Sequence, residues 1–162
     1  MWLSRLIAIL LVGVLTACTG LSVTPLGTNF TKDDLRINVI ETAGRNDQIY
    51  SRALNSLIGG TADPAFTLSS ELSVASRSRV TVRGSRSNLQ KRSMTAKITL
   101  VDAATGETVM SDSISESSTV GTVSSYYAQN RSDKHSDERT SLLLAERVAA
   151  RVHLYFLDAK GQ

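Results

Sequence analysis

The sequence predicts an α+β fold, a two-layer sandwich in which a mixed sheet of about four strands carries two helices on one face. Three observations predict it. From Phe66 to Arg83 apolar and polar residues alternate, with Phe66, Leu68, Leu72, Val74, Val80 and Val82 on one side and Thr67, Ser69, Glu71, Ser73, Arg77 and Arg79 on the other. That is the period of a strand with one face on a core and one in water. The alternation returns in Met94, Ala96, Ile98 and Leu100, followed by the turn Asp102-Ala103-Ala104-Thr105-Gly106. Near the C-terminus Leu142, Ala145, Ala149, Val152 and Phe156 recur at steps of three and four, with Val148 and Tyr155 beside them, as on a helix facing a core. Two helices and a sheet that each bury one apolar face pack most economically as two layers.

The elements follow in the order β-α-β-β-β-α. Leu35 to Ile40 alternates and reads as a short strand. Ala43-Gly44-Arg45-Asn46 breaks it, and Asp47 suits the N-cap of a helix reaching Ile58, with Tyr50, Leu54, Leu57 and Ile58 on one side. Gly59-Gly60 stops that helix and Asp63-Pro64 turns the chain. The 66–83 segment is either one long strand or breaks near Ser76. Gly84 to Asn88 is the loop, and Gly106 suits the positive φ of the second turn. A further strand runs from Glu107 to Ser117. Residues 118–125 read as irregular, and the final helix begins between Ser125 and Thr140.

The N-terminus is of another kind. Arg5 precedes a ten-residue apolar run, Leu6 to Leu15, too short to span a bilayer and fitted to a signal peptide. Leu15-Thr16-Ala17-Cys18 resembles the bacterial lipobox, and Cys18 is the only cysteine. The resemblance implies cleavage before Cys18 and two or three acyl chains on it, enough to hold the protein on a membrane. Thr19, where enteric retention signals carry Asp, implies sorting to the outer membrane. The expected organisation is a leader over 1–17, a lipidated N-terminus and tether over 18–34, one domain over 35–158 and a tail over 159–162. An ordinary signal peptide with an incidental cysteine is the bland alternative.

Much chemistry is excluded. One cysteine forbids an internal disulfide and a cysteine-cage metal site, and only His135 and His153 are available as histidines. Nucleophile-elbow, phosphate-loop, zincin and dinucleotide motifs are absent. Ser132-Asp133-Lys134-His135-Ser136-Asp137 crowds triad residue types together, but a triad needs partners assembled by the fold, and a solvated helix face is the simpler reading. No enzyme activity, metal or cofactor is therefore expected.

Charge is what stands out. Residues 72–101 hold Arg77, Arg79, Arg83, Arg86, Lys91, Arg92 and Lys97 and no acid, whereas residues 102–146 hold eight acids against Arg131, Lys134 and Arg139. Alternation puts Arg77, Arg79, Arg83, Lys91 and Lys97 on the outward sheet face. Guanidinium forks and ammonium groups suit phosphates, so the hairpin is a candidate for an anionic partner. Charges that merely deter edge pairing are the alternative. Nucleic acid is disfavoured by the lipobox and by the lack of stacking aromatics in the cluster.

Taken together the chain resembles the LPS-assembly lipoprotein family, LptE, in its α-proteobacterial form. The resemblance rests on Cys18, on Ile37-Asn38-Val39 with Gly44-Arg45 and Leu54, and on Ile98-Thr99-Leu100-Val101-Asp102 with Thr105-Gly106. It also rests on Ser125-Tyr126-Tyr127-Ala128 and Ala145-Glu146-Arg147-Val148-Ala149-Ala150-Arg151-Val152. The tract after Cys18 departs from the Gly-aromatic-Pro-Leu pattern common in the family. The resemblance implies a lipid-anchored protein of the cell outer membrane, facing the periplasm or lying within the lumen of an LptD-like β-barrel. It implies lipopolysaccharide as ligand, and the basic hairpin, read from its charges and not from the family, is the candidate surface for the phosphates. Another accessory lipoprotein, a transporter auxiliary or a secretin pilotin, is the alternative.

Overall fold

In the computed structural model, residues 35–78 and 89–160 are described. They form strands β1 (Ile37–Val39), β2 (Phe66–Ser78), β3 (Leu89–Asp102) and β4 (Thr108–Gly121), and helices α1 (Arg45–Ile58) and α2 (Tyr126–Lys160). The sheet order is β1-β2-β3-β4, with β1 parallel to β2 and the other pairs antiparallel. This is the predicted α+β layout with a mixed sheet. The lipidation residue Cys18, the tether, and Arg79, Arg83 and Arg86 lie outside the described residues.

Even-numbered positions of β3 face the helices, and Met94, Ala96, Ile98 and Leu100 are buried there, joined by Leu68 of β2 and Met110 of β4. Helix α1 contributes Tyr50, Leu54 and Ile58, and α2 contributes Leu144, Ala145, Val148 and Val152. Three expected core residues are outside it, since Leu57, Val74 and Leu142 are exposed. In α2 the buried stripe is Leu144-Ala145-Val148-Ala149-Val152, one step round from Leu142.

Helix α1 opens three residues earlier than expected. Gly44, at φ 133°, takes the N-cap position, and Asp47 falls in the first turn. A carboxylate there faces the positive end of the helix dipole. The β3–β4 turn is built by Asp102, whose Oδ1 accepts from the N–H groups of Ala104 and Thr105 at 2.8 and 2.9 Å. Those amides, Thr105 first, hold its carboxyl below the usual carboxylate range. Gly106 closes the turn at φ 72° with open space where a Cβ would stand. Gly106→Ala is therefore expected to cost about 1 kcal/mol, by strain alone, and Gly106→Asn less; urea unfolding of both variants measures this.

The largest departure is α2. It spans 35 residues, about 52 Å, and matches strands of 14 residues that extend about 46 Å. Its first half has no apolar stripe because it lies over a sheet half that is itself polar. The apolar core thus fills one half of the sandwich. A polar layer fills the other, at the end of the sheet far from the β3–β4 turn.

Candidate functional site

In that polar layer Arg92, on the helix-facing side of β3, donates to both carboxylate oxygens of Asp137 at 2.8 and 2.7 Å. It also lies 3.5 Å from Asp133. The Arg92 and Asp137 side chains are each only 14% exposed. The Asp137 hydrogen bond is the main cause that raises the Arg92 pKa further. Beside them the hydroxyls of Ser118 and Ser136 lie 2.6 Å apart, and Thr140 donates to Ser118 at 3.1 Å. Arg92 is therefore set apart from the other cations of the predicted lipopolysaccharide surface: it faces inward and its charge is matched by two acids.

Two further arginines reach down from α2 to the edge strand. Arg147 pairs with Glu116 at 2.6 Å and Arg151 with Asp112 at 2.7 Å. The Arg151 hydrogen bond, more than the Ser113 amide, keeps the Asp112 carboxyl low. These contacts tie Asp112 and Glu116 of β4 to the helix layer.

That opposite face is open. On β4 it presents Ser111, Ser113, Ser115, Ser117 and Thr119, and on β3 Lys91, Ser93, Thr95, Lys97 and Thr99. Thr95 and Ser115 hydroxyls lie 2.8 Å apart. A shallow groove of about 440 Å³ runs here, lined by Lys91, Ser93, Thr95, Ser115 and Ser117 and also by the paired Glu116 and Arg147. The face carries one acid, Glu71, directly opposite Lys97. At the far end Arg77 stands directly opposite Lys91. Like charges facing each other across a ladder are unfavourable unless an anion comes between them. The strand register thus places two basic residues, Arg77 and Lys91, at opposed positions at that end.

Sequence reasoning missed two things about α2. The crowded Ser132–Asp137 segment is divided: His135 is exposed, while Ser136 and Asp137 face the sheet and bond Ser118 and Arg92. The signal was present, since Asp133, Asp137, Thr140, Leu144 and Val148 continue one helical stripe in which the polar members replace apolar ones. The second miss is a group on the outer side of α2, where Arg45, Tyr127, Asn130, Arg131, Lys134 and His135 line a groove of about 640 Å³. Its one acid, Glu138, is paired with Arg45, whose hydrogen bond lowers the Glu138 pKa. No signal in the sequence brings Arg45 and α2 together. His153, half-buried near the apolar stripe, has its pKa lowered by burial.

Among the described residues no helix is long and apolar enough to cross a membrane, and no group of three His, Cys, Asp or Glu could hold a metal ion. No family model and no curated protein matches the chain. Solved structures do. A candidate lipoprotein of Caulobacter crescentus CB15 matches with a TM-score of 0.59 at 20% identity, covering 76% of this chain and 93% of that one. The rare lipoprotein B of Shewanella oneidensis matches with 0.54 at 8% identity, over 76% and 96%. A minor lipoprotein of Acinetobacter baumannii matches with 0.52 at 9% identity, over 73% and 88%. At these identities the shared property is the fold.

Proposed function

We propose that this chain is a non-enzymatic accessory lipoprotein of the outer membrane, anchored through acylated Cys18, that assists lipopolysaccharide assembly as the partner of an LptD-like β-barrel. The fold it shares with bacterial lipoproteins, a rare lipoprotein B among them, supports the coarser part of this reading. The finer part rests on the resemblance of the residues and on one observation, the like-charged Arg77–Lys91 pair on an open, hydroxyl-rich sheet face. Such a pair gains from a phosphate placed between its members, and the surrounding serines and threonines supply neutral donors for further oxygens.

The reading predicts graded effects. Replacing Arg77 and Lys91 together by Ser is expected to weaken lipopolysaccharide binding roughly five- to tenfold at low salt, and less at high salt. Lys97→Ser, whose neighbour is Glu71, should change it little. Binding of immobilised lipopolysaccharide by the purified mature chain measures both. Equal affinity in all three proteins removes the phosphate role. Partnership is tested by affinity purification from membranes in mild detergent. Recovery of a large outer-membrane barrel is expected, and recovery of a secretin or an inner-membrane transporter instead transfers the protein to the other accessory class.

A further inference from the structure

The end of the sandwich where β3 begins and β4 finishes carries a second surface, distinct from the open sheet face. Leu89 stands opposite Gly121 there. The chain then turns back, held by the Val123 N–H donating to Gln129 Oε1 at 2.8 Å, and enters α2 at Tyr126. Strand pairing and this turn gather Leu89, Val123, Tyr126 and Tyr127 at one tip. All four are exposed, Tyr126 by 85% and Tyr127 by 70%. They are four of the ten large hydrophobic residues exposed among the described residues.

The charges around the tip are one-sided. No acid occurs from Ser117 to Ser132. The next acids along α2 are engaged: Asp133 and Asp137 with Arg92, and Glu138 with Arg45. Arg131 and Lys134 are exposed, and the acids that share the α2 grooves with them, Asp133, Asp137 and Glu138, are each paired with an arginine. Tyr127 flanks the groove that holds Arg131 and Lys134, and Tyr126 lines a smaller one of about 340 Å³ on the other side of the helix, which Lys134 also lines. Phenol rings with an apolar body and a wet hydroxyl, framed by long cationic side chains, suit the boundary between lipid headgroups and acyl chains.

We propose that this tip is a membrane-contact surface for an anionic bilayer. Tyr126, Tyr127, Val123 and Leu89 enter the interfacial region, and Arg131 and Lys134 meet lipid phosphates. Charge complementarity selects this occupant: a free phosphate would leave the exposed rings unused, and zwitterionic lipid would leave the cations unmatched. The inference does not depend on lipopolysaccharide recognition or on a barrel. Its geometric consequence concerns orientation. The described chain begins at Leu35, beside the Phe66 end of β2, thirteen strand residues or about 43 Å from the tip. A lipid on Cys18 reached through 17 residues could extend at most about 60 Å. Anchor and tip can therefore touch one leaflet, with the long axis of the sandwich lying along it.

The test uses the mature chain with Cys18→Ala, so that no acyl group contributes, and vesicles free of lipopolysaccharide. The only tryptophan is Trp2, in the leader, so Tyr126→Trp places a single reporter at the tip. Vesicles of phosphatidylcholine containing phosphatidylglycerol should shift its emission to the blue, and brominated acyl chains should quench it. Pure phosphatidylcholine should do much less. In the background without the reporter, Tyr126→Ser with Tyr127→Ser should reduce co-sedimentation with anionic vesicles about tenfold, with circular dichroism unchanged. Adsorption without a blue shift, or insensitive to the tyrosine changes, overturns the proposal by leaving only charge. A shift that appears with solubilised envelope proteins and not with vesicles overturns it in favour of a protein partner.

Discussion

Tyr50→Ala is expected to cost about 4–5 kcal/mol, close to the whole stability of a small domain. Tyr50, on α1, is the largest fully buried side chain among the described residues. Its hydroxyl lies 3.0 Å from that of Ser70 on β2, and burial pushes its pKa up to about 12. Truncation removes the ring, opens a cavity and leaves the buried Ser70 hydroxyl without that partner. Tyr50→Phe separates the two contributions. It keeps the ring and loses only the hydrogen bond, so about 1–2 kcal/mol is expected. Adding Ser70→Ala to Tyr50→Phe should recover part of that loss, because no hydroxyl is then stranded. Chemical unfolding of the three variants measures the series. An equal loss for Phe and Ala would show that the hydroxyl pair, not the packing, carries the energy. The Tyr50 phenol should ionise only near about pH 12, which the difference between ultraviolet titrations of the parent and of Tyr50→Phe reads.

The same residue shows what the sequence made legible. Tyr50, Leu54 and Ile58 repeat at four, and the strand residues facing them alternate at two; both periods come from backbone geometry and survive in any context. The layout of four strands and two helices followed from them. What stayed hidden depends on distant partners. Alternation with Met94 and Ala96 put Arg92 inward, yet the charged residues near it in sequence are all basic, and the acids that balance it stand 41 and 45 residues away on α2. The start of α2 was ambiguous for the same reason. Its first half buries Ser136, Thr140 and Ser141 in place of apolar residues, so the hydrophobic period that marks a helix begins only near Leu144. Arg45 joining the α2 groove likewise depends on the packing of α1 against α2, which no local pattern encodes.

Arg92→Ala is the second large effect, and it separates structure from binding. Removing the guanidinium leaves Asp137 and Asp133 facing each other in a layer that water reaches poorly. Breaking such a pair on one side is costly, and with partial exposure about 2–4 kcal/mol is expected. Arg92→Lys should recover little, because one ammonium cannot reproduce the two-pronged contact with Asp137. Arg92→Met combined with Asp137→Leu should recover most of it, because both charges leave together; Asp133 keeps the amide of Gln129 as donor at 2.8 Å. The loss should be local as well as global. Amide exchange should accelerate first along Leu89–Ser93, Ser115–Val120 and the opening turns of α2, while Met94–Leu100 and Leu144–Val152 stay protected until global unfolding. Lipopolysaccharide affinity measured where Arg92→Lys remains folded should stay within about twofold of the parent, since this cation is spent on Asp137 and not offered to solvent. A large drop in affinity with the fold intact would move Arg92 from the polar layer to the ligand surface, and would require the α2 amino-terminal half to lift away from the sheet when ligand binds.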